Sequence, residues 1–349
     1  MDDIVVANIA LVAYPRCTAS VISGVLDIFS TANHCVVDLY GDSAVFNFNI
    51  QIVSEDGRPL VASNNQPIFP DASFNNAGRL DYIIIPEIFQ TIDKGQLDAD
   101  AFASCAQWVR KQHDQGCRLA SLSTGTFILA ETGLLNGMTA TTHSRMFPCL
   151  QDRYPAINVV NTELNMSDNF IISAGESLSY IDLSFYIIEK LGNSDIAFEC
   201  EQRMALSRRY ENGREASKSS THGVKAFADN HSDFKVKQIQ DWLARHHRTK
   251  FNLEKVAELF GMGPRNFKRR FKLATGVTPI AYVQELRIES AKNWLKMTNF
   301  PVTKITEKIG YDDFSSFSRL FKRSTGVTML DYRKTTSSTA CGSASASGW

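Results

Sequence analysis

The larger, N-terminal part of the chain alternates between continuous apolar runs and amphipathic stretches. Residues 4–12 and 82–85 are almost wholly apolar, as in strands buried on both faces, and residues 46–53 alternate with a period of two. Residues 22–32 and 102–113 instead place their apolar side chains at helical spacing. Further strands are predicted at 118–122 and 170–173, and further helices at 126–132 and 181–191. This rhythm predicts an α/β domain, a parallel sheet with helices on both faces.

The C-terminal part has a different pattern, and the pattern occurs twice. Residues 256–284 read VAELFGMGPRNFKRRFKLATGVTPIAYVQ, and residues 305–333 read ITEKIGYDDFSSFSRLFKRSTGVTMLDYR. Phe267, Phe271 and Tyr282 recur 50 residues later as phenylalanine and tyrosine, with the intervening Thr-Gly-Val-Thr also repeated. A repeat of this length indicates two copies of one supersecondary unit.

Each copy has the features of a helix-turn-helix. Val256, Leu259 and Phe260 form the apolar face of a short helix, Gly261 ends it, and Pro264 suits the first turn of a second helix. The outer face of that second helix is cationic in the first copy: Arg265, Lys268, Arg269 and Lys272. The corresponding positions of the second copy are Ser315, Ser316, Ser318, Arg319 and Lys322. The predicted C-terminal domain is therefore all-α, with two helix-turn-helix units whose second helices suit a major groove.

The distribution of charge separates the two parts of the chain. Residues 233–334 contain 21 lysines and arginines against 10 acidic residues, a net charge of +11. Because the whole chain has 37 of each, the remaining residues carry a net charge of −11. A helical bundle with solvated charges is the alternative interpretation. The repeat, its glycine turns and this asymmetry favour a nucleic-acid-binding domain instead.

These residues resemble the AraC/XylS-type DNA-binding domain, most specifically in residues 310–333. The resemblance implies two helix-turn-helix units joined by a long helix, here about 281–297, and double-stranded DNA as partner. It implies base-edge contacts from the outer faces named above, with Lys272 and Lys322 better suited to phosphates. One departure is Met329, where the family usually has proline; it affects the start of the last helix and not the reading surface.

A turn of small residues follows the predicted strand 118–122. A sharp strand-to-helix elbow there would present Ser123, with Thr124 beside it, at the end of the sheet. Glu87 follows the strand 82–85, and His143 follows the next predicted strand, so all four candidates are expected near the carboxyl ends of strands, where α/β proteins bind ligands. Each has an alternative role. For Ser123 the alternative is a small residue that the tight turn requires, for His143 a structural histidine bonded to a backbone carbonyl, and for Glu87 a solvated loop charge or the partner of a cationic ligand.

Residues 119–144 and 172–183 carry a second resemblance, to PfpI-type domains with the class I glutamine amidotransferase-like fold, a flavodoxin-like three-layer sandwich. The departures concern catalysis. Ser123 stands where the family has its cysteine nucleophile, Arg145 where the amidotransferases have an acid, and residues 20–23 lack the glutamate of the peptidase-like branch. Residues 86–88 replace a glycine-rich oxyanion loop. The expectation is a non-catalytic sensor domain, with a serine hydrolase or amidase-like enzyme built on Ser123 and His143 as the alternative.

The boundaries follow from composition. We expect the sensor domain at 1–212, a linker at 213–232, the DNA-binding domain at 233–334 and a disordered tail at 335–349. The seven cysteines show no CxxC pair and no histidine cluster, which favours free thiols in a reducing cytoplasm and predicts neither a metal site nor a cofactor. No signal peptide or membrane-spanning run is evident, so neither secretion nor membrane insertion is expected.

Together the two resemblances imply a cytoplasmic transcriptional regulator and no enzyme. We expect an activator that forms homodimers, contacts RNA polymerase and responds to a small effector such as an amino acid or a quaternary amine. A structural DNA-binding protein without any ligand is a further alternative.

Overall fold

A computed structural model describes residues 4–41, 44–88, 102–162, 164–166, 170–206, 231, 233–250 and 252–341. The predicted linker, apart from residue 231, and the predicted tail beyond residue 341 lie outside this described part.

The sheet of the N-terminal domain has the predicted parallel core. The strands in chain order are β1 Val5–Val12, β2 Phe46–Ser54, β3 Leu60–Val61, β4 Pro67–Ile68, β5 Ala72–Ser73, β6 Tyr82–Ile85, β7 Arg118–Leu122, β8 Thr139–Ala140, β9 Asn158–Val159, β10 Leu164–Met166 and β11 Ile171–Ala174. Seven of them form one sheet in the order β10-β11-β7-β6-β1-β2-β5. Only the edge pair β10–β11 is antiparallel.

The helices among the described residues are α1 Ala19–Tyr40, α2 Ala103–Asp114, α3 Thr126–Glu131, α4 Phe147–Arg153, α5 Tyr180–Leu191, α6 Ser194–Arg203, α7 Phe234–His246, α8 Leu253–Leu259, α9 Pro264–Thr275, α10 Pro279–Met297, α11 Val302–Lys308, α12 Phe314–Thr325 and α13 Met329–Cys341. The connections β1-α1-β2 and β6-α2-β7 run in opposite directions across the sheet, so right-handed crossovers place α1 and α2 on opposite faces. The expected three-layer sandwich is confirmed.

The first helix, α1, is longer than the predicted 22–32. Its apolar periodicity is interrupted near Asn33, but the Asn33 side chain bonds both the N–H and the carbonyl of Phe48 on β2, at 2.9 and 2.8 Å. This contact anchors a polar stretch of helix to the sheet. By length and apolarity alone α1 would also suit a membrane span. Its buried face, from Ala19 to Tyr40, instead packs in the core of the domain.

His143 does not follow a strand of the main sheet, as the sequence suggested. The preceding strand β8 pairs only with β9 in a separate two-stranded ribbon, and the main-sheet neighbour of β7 on that side is β11. The two-residue β8 and β9 are too short for the periodicity of their side chains to reveal which sheet they join.

The C-terminal domain has the predicted arrangement of two helix-turn-helix units, α8–α9 and α11–α12. The helix α10 joins them, with Tyr282 and Leu286 in the core of the first unit and Trp294 and Leu295 in that of the second. The Met329 side chain is buried at the start of α13. That helix continues to Cys341 and thus through residues 335–341, which the sequence assigned to the tail.

Candidate functional site

The elbow after β7 is formed as predicted, and Ser123 lies at its sharpest point. Ser123 has a φ of 53°, in the left-handed region that side chains other than glycine rarely adopt. Such a conformation costs about 1–3 kcal/mol and persists only where the surroundings impose it. The Ser123 side chain is fully buried, and its hydroxyl has no hydrogen-bond partner among the described residues. The elbow therefore holds a buried hydroxyl that no described residue hydrogen-bonds.

Close packing against the end of β6 fixes the elbow. A Cβ added to Gly125 would lie 2.4 Å from the carbonyl oxygen of Pro86 and 2.6 Å from that of Ile85, so only glycine fits. The Thr124 hydroxyl accepts from the Ile88 N–H at 2.8 Å and donates to the Ile88 carbonyl at 3.0 Å. The buried Thr124 is thus engaged with the 86–88 segment.

The structure brings three of the four predicted ligand residues to one end of the sheet. Glu87 is buried, and its carboxylate accepts a hydrogen bond of 2.6 Å from Thr18, which precedes α1. Ser123 and Thr124 lie on the elbow beside it. His143 is half-buried, and its Nδ1 accepts from the Arg145 N–H at 3.3 Å. Because the Ser123 hydroxyl has no partner, no nucleophile–base hydrogen bond joins Ser123 to His143 in the described residues.

Three buried thiols of the N-terminal domain are not activated. The six cysteines whose side chains are described are free. Burial raises the pKa of the Cys17 thiol, and it raises the pKa of Cys105 and of Cys117 to about 12. Reactive cysteines have a lowered pKa, so these three are unsuited to nucleophilic catalysis. Within the described part of the chain, no group of three His, Cys, Asp or Glu residues is arranged to hold a metal.

A cavity of about 490 Å³ opens at the carboxyl ends of β1 and β2. Its inner wall includes Tyr14, Phe74 and Phe102; the rings of Tyr14 and Phe102 meet edge to face at 5.4 Å. The Tyr14 hydroxyl donates a short hydrogen bond to the Pro86 carbonyl, which links the cavity wall to the segment that packs on the elbow. Burial raises the pKa of Tyr14 well above its usual value, so this phenol stays protonated. The cavity volume suits a small metabolite.

Charges of both signs surround the mouth of this cavity. Arg16 and Arg58 contribute guanidinium groups, and Glu55 and Asp56 contribute carboxylates; all four residues are exposed. Arg16 has a φ of 67°, a second strained backbone position at this end of the sheet. Arg58 and Asp56 form an exposed ion pair of 3.7 Å with each other.

The sequence interpretation did not single out the cavity residues. Tyr14 to Arg16 follow β1 and Glu55 to Arg58 follow β2, so the rule that ligands lie at the carboxyl ends of parallel strands would have found both segments. The third wall, Phe102 and Cys105 at the start of α2, has no signal in the sequence because it depends on how α2 packs.

The first candidate DNA-reading face is the outer side of α9. Arg265, Lys268, Arg269 and Lys272 are all exposed, while Phe267 and Phe271 are buried. Arg270, which the sequence did not distinguish from its neighbours, points elsewhere. It makes two hydrogen bonds to Asp233 before α7, at 2.6 and 2.8 Å, and this guanidinium lowers the pKa of Asp233. Arg270 is therefore a structural contact within the domain.

The second candidate face is the outer side of α12. Asp313 caps this helix by accepting from the N–H groups of Ser315 and Ser316, both at 3.0 Å. Of the predicted reading residues, Ser315, Ser316, Arg319 and Lys322 are exposed and Ser318 is half-buried. Both α9 and α12 end at a left-handed glycine, Gly276 with φ 81° and Gly326 with φ 80°. The two units thus repeat in backbone as well as in sequence.

Comparison with known proteins recovers both halves of the chain. A helix-turn-helix domain model matches residues 256–335, and the DJ-1/PfpI family model matches residues 44–190. The chain is 26% identical over 274 residues to the HTH-type transcriptional regulator CdhR of Pseudomonas aeruginosa, covering 78% of this chain and 77% of that one.

Two further relatives differ in how much of the chain they match. The HTH-type transcriptional regulator GbdR of Pseudomonas aeruginosa is 21% identical over 282 residues, 81% of this chain and 74% of that protein. The HTH-type transcriptional activator RhaS of Salmonella schwarzengrund is 34% identical over 103 residues, which is 30% of this chain and 37% of that protein. Both resemblances inferred from the sequence are confirmed.

Proposed function

The chain joins an N-terminal DJ-1/PfpI-family domain to an AraC-type helix-turn-helix domain, and we propose from this that it is a sequence-specific transcriptional regulator controlled by a small molecule. The observation that carries the DNA-binding function is the pair of exposed outer faces on α9 and α12, held at the two ends of α10.

Each face is suited to a different part of DNA recognition. Arg265, Lys268 and Arg269 carry long donors near the start of α9, as a recognition helix in a major groove requires. The face of α12 has hydroxyl groups and Arg319, which can read base edges with less charge. Lys272 and Lys322 lie near the helix ends and suit phosphates, which set register without reading sequence. The net charge of +11 on residues 233–334 supplies the attraction to the phosphate backbone.

The effector site we propose lies at the carboxyl ends of the strands, where the cavity and the elbow adjoin. The mixed charges at the cavity mouth and its aromatic wall support a ligand with both a cationic and an anionic group. An amino acid or a quaternary amine that also bears a carboxylate has this chemistry, and cation–π contact with an aromatic wall favours such cations. The elbow residues Ser123 and Thr124, with Glu87, form the inner part of this proposed site, and His143 follows Thr142, whose hydroxyl donates to the Ser123 carbonyl at 2.9 Å.

The proposed domain senses its ligand and does not transform it. The unpartnered Ser123 hydroxyl, the protonated neighbouring thiols and the exposed Arg145 all support this. The alternative, a serine hydrolase, draws on one observation, the strained elbow at Ser123. A fluorophosphonate probe labels an activated serine, so mass spectrometry of the treated full-length chain decides between them; we expect no adduct on Ser123.

The remaining parts of the proposal follow from the kind of regulator. We propose that it acts as a homodimer in the cytoplasm, that repeated sites on DNA accommodate the two copies, and that it activates transcription by contact with RNA polymerase. Two reading helices on one rigid α10 can address successive major-groove faces, about 34 Å apart along one side of the duplex.

Two measurements on the full-length chain test this function. Selection from a random-sequence duplex pool should enrich one motif, and Arg269→Ala should change the base preference at one position of it. A thermal-shift screen against the proteinogenic amino acids and their betaines should yield a compound that adds about 2.7 kcal/mol when present at 100 times its Kd. Enrichment of no motif contradicts DNA recognition, and an unresponsive chain contradicts the sensor.

Matched variants locate the ligand. Arg58→Glu reverses one charge at the cavity mouth; this side chain is 84% exposed, and the surface ion pair with Asp56 that it loses contributes no more than about 1 kcal/mol. Ser123→Gly removes the elbow hydroxyl and suits the left-handed backbone. A compound whose affinity falls with Arg58→Glu but not with Ser123→Gly lies in the cavity, and the opposite result places it at the elbow.

A further inference from the structure

The N-terminal domain contacts the DNA-binding domain through a polar cluster that is largely shielded from water. Arg248, which follows α7, forms an ion pair of 2.5 Å with Asp195 in the first turn of α6. The two side chains are 23% and 13% exposed. Asn293 on α10 donates to the same carboxylate at 3.1 Å, and Arg248 also donates to Ser290 at 3.1 Å. Burial alone would lower the pKa of Arg248, but the Asp195 carboxylate raises it above its usual value.

The end of α1 completes this contact. The ring of Tyr40, the last residue of α1, meets Trp294 of α10 edge to face at 4.9 Å. The Tyr40 hydroxyl accepts a hydrogen bond of 2.9 Å from Asn193, and Asn193 caps α6 by accepting from the Ile196 N–H. The same amide therefore orients both Tyr40 and the helix that carries Asp195. We call the contact of Tyr40, Asn193 and Asp195 with Arg248, Asn293 and Trp294 the joint.

Backbone bonds extend the joint to β2. The Val45 N–H donates to the Met297 carbonyl at 2.8 Å, and Ala44 forms an antiparallel bridge with Thr298. Val45 immediately precedes β2. The end of α1 and the residues just before β2 therefore both contact the C-terminal part of α10 and the residue after it.

Both α1 and β2 run from the joint to the proposed ligand end. The ligand end of α1 is its start, where the preceding Thr18 hydrogen-bonds Glu87. The joint is at its other end, where Tyr40 meets Trp294. At its carboxyl end β2 supplies Ser54 to the cavity. A helix of this length spans about 33 Å. The bonds of Asn33 to Phe48 fasten α1 to β2 in the half nearer the joint, so the two elements can move as one body.

Close packing makes α1 poorly deformable. A Cβ on Gly24 would lie 2.5 Å from the ring of Tyr180 on α5, so this turn of α1 is in tight contact with its neighbour. A displacement at one end of such an element is transmitted to the other, since close-packed interiors are not soft.

We infer that the joint couples the ligand end of the N-terminal domain to the DNA-binding domain, with α1 and β2 as the connecting body. This inference rests on the proposed function. In the docked arrangement the candidate reading residues of α9 stay exposed, so docking leaves the DNA surface open. What the joint fixes is the orientation of α10, and with it of both reading helices, relative to the sensor domain. Occupancy at the ligand end changes the population of this docked arrangement, and by reciprocity DNA binding changes the ligand end.

Asp195→Asn tests this directly, because it removes the charge that pairs with Arg248 and keeps the shape. Asp38→Asn is the matched control. Asp38 lies on α1 and pairs with Arg203 of α6 at 2.6 Å, so the control removes one carboxylate charge from an ion pair within the N-terminal domain and leaves Arg248, Asn293 and Trp294 untouched. Hydrogen exchange is measured by mass spectrometry on the full-length chain, with and without a duplex enriched by the selection described above.

In the wild type and in Asp38→Asn, the duplex should slow amide exchange along α1 and at residues 87 and 88 by about fivefold or more, the lower end of usual coupling factors. In Asp195→Asn, duplex affinity should stay within about threefold of wild type, because the reading faces are distant. In this variant the duplex should no longer slow amide exchange along α1. If Asp195→Asn does not fold, Asn293→Ala weakens the joint from the other side without a change in charge.

Two results overturn the inference. One is an α1 that does not respond to the duplex in the wild type, and the other is an equal response in Asp195→Asn. A wild-type chain that binds no enriched duplex contradicts the proposed function instead, so the two failures are distinguishable.

Discussion

Gly125→Ala offers a quantitative test of how the elbow is built. Gly125 has a φ of −57°, which alanine adopts without strain, so backbone conformation does not require glycine there. The requirement is space. The new Cβ would lie 2.4 Å from the Pro86 oxygen and 2.6 Å from the Ile85 oxygen.

The size of the effect follows from those contacts. Real Cβ atoms essentially never approach closer than 3.0 Å, so the elbow must separate from the end of β6 by roughly half an ångström. Both obstructing atoms belong to the backbone, which cannot rotate away as a flexible side chain can. Overpacking of this kind costs about 1–3 kcal/mol. We expect about 3 kcal/mol because two carbonyl groups are displaced together, which corresponds to a fall in Tm of about 6–12 °C for a domain of this size.

The measurement is urea unfolding of the full-length chain, followed by circular dichroism, with Gly137→Ala as control. Gly137 lies in the same domain with φ 76° and no atom within 4 Å of an added Cβ. Its replacement incurs only the left-handed penalty of about 1–2 kcal/mol. If Gly125→Ala is no more destabilising than Gly137→Ala, the close approach of the elbow to β6 is not as the structure shows.

Three further predictions concern single side chains. Arg269→Ala should lower affinity for the preferred duplex by about 1–3 kcal/mol and reduce the base preference at one position of the motif. Lys272→Ala should instead weaken binding to all duplexes alike and reduce the slope of log affinity against log salt concentration by about 1. Binding titrations measure both effects. Arg270 lowers the pKa of Asp233 in the folded state, so the stability from this pair is present above the unfolded pKa of about 4 and is lost as the pH falls through the folded pKa. Because Arg270 is partly exposed, we expect the pair to contribute no more than about 1 kcal/mol. If Asp233→Asn unfolds in acid at the same pH as the wild type, the pair makes no such contribution. Ser123→Gly should leave stability unchanged or raise it by up to about 1 kcal/mol, because the left-handed strain is relieved; a clear loss in thermal unfolding would mean that the Ser123 hydroxyl is bonded.

The fold of the DNA-binding domain could be predicted from the sequence because of its repeat. Two copies of one pattern restrict the interpretation more than either copy alone, and the buried Phe267 and Phe317 confirm the inward faces of both second helices. The extent of the last helix could not be predicted. Residues 335–341 lack apolar periodicity, yet they continue the helix that Met329 begins.

The sequence predicted the elbow but not its surroundings. A run of small residues between a strand and a helix has one simple geometry, so the position of Ser123 followed from local pattern. The packing of the elbow depends on Pro86, which approaches Gly125, and on Ile88, which bonds Thr124, both more than thirty residues earlier in the chain. Likewise the cavity and the joint are formed by segments distant in sequence, such as Asp195 and Arg248, and no local pattern specifies their contact.

The most direct test of ligand control is a linkage measurement on the full-length chain. Affinity for the enriched duplex is titrated with and without the compound found by thermal shift, and affinity for the compound is titrated with and without the duplex. Ligand control predicts that each changes the other by the same factor, about 5–150. A factor of one in both titrations would contradict it and would leave a DNA-binding protein whose N-terminal domain does not regulate it.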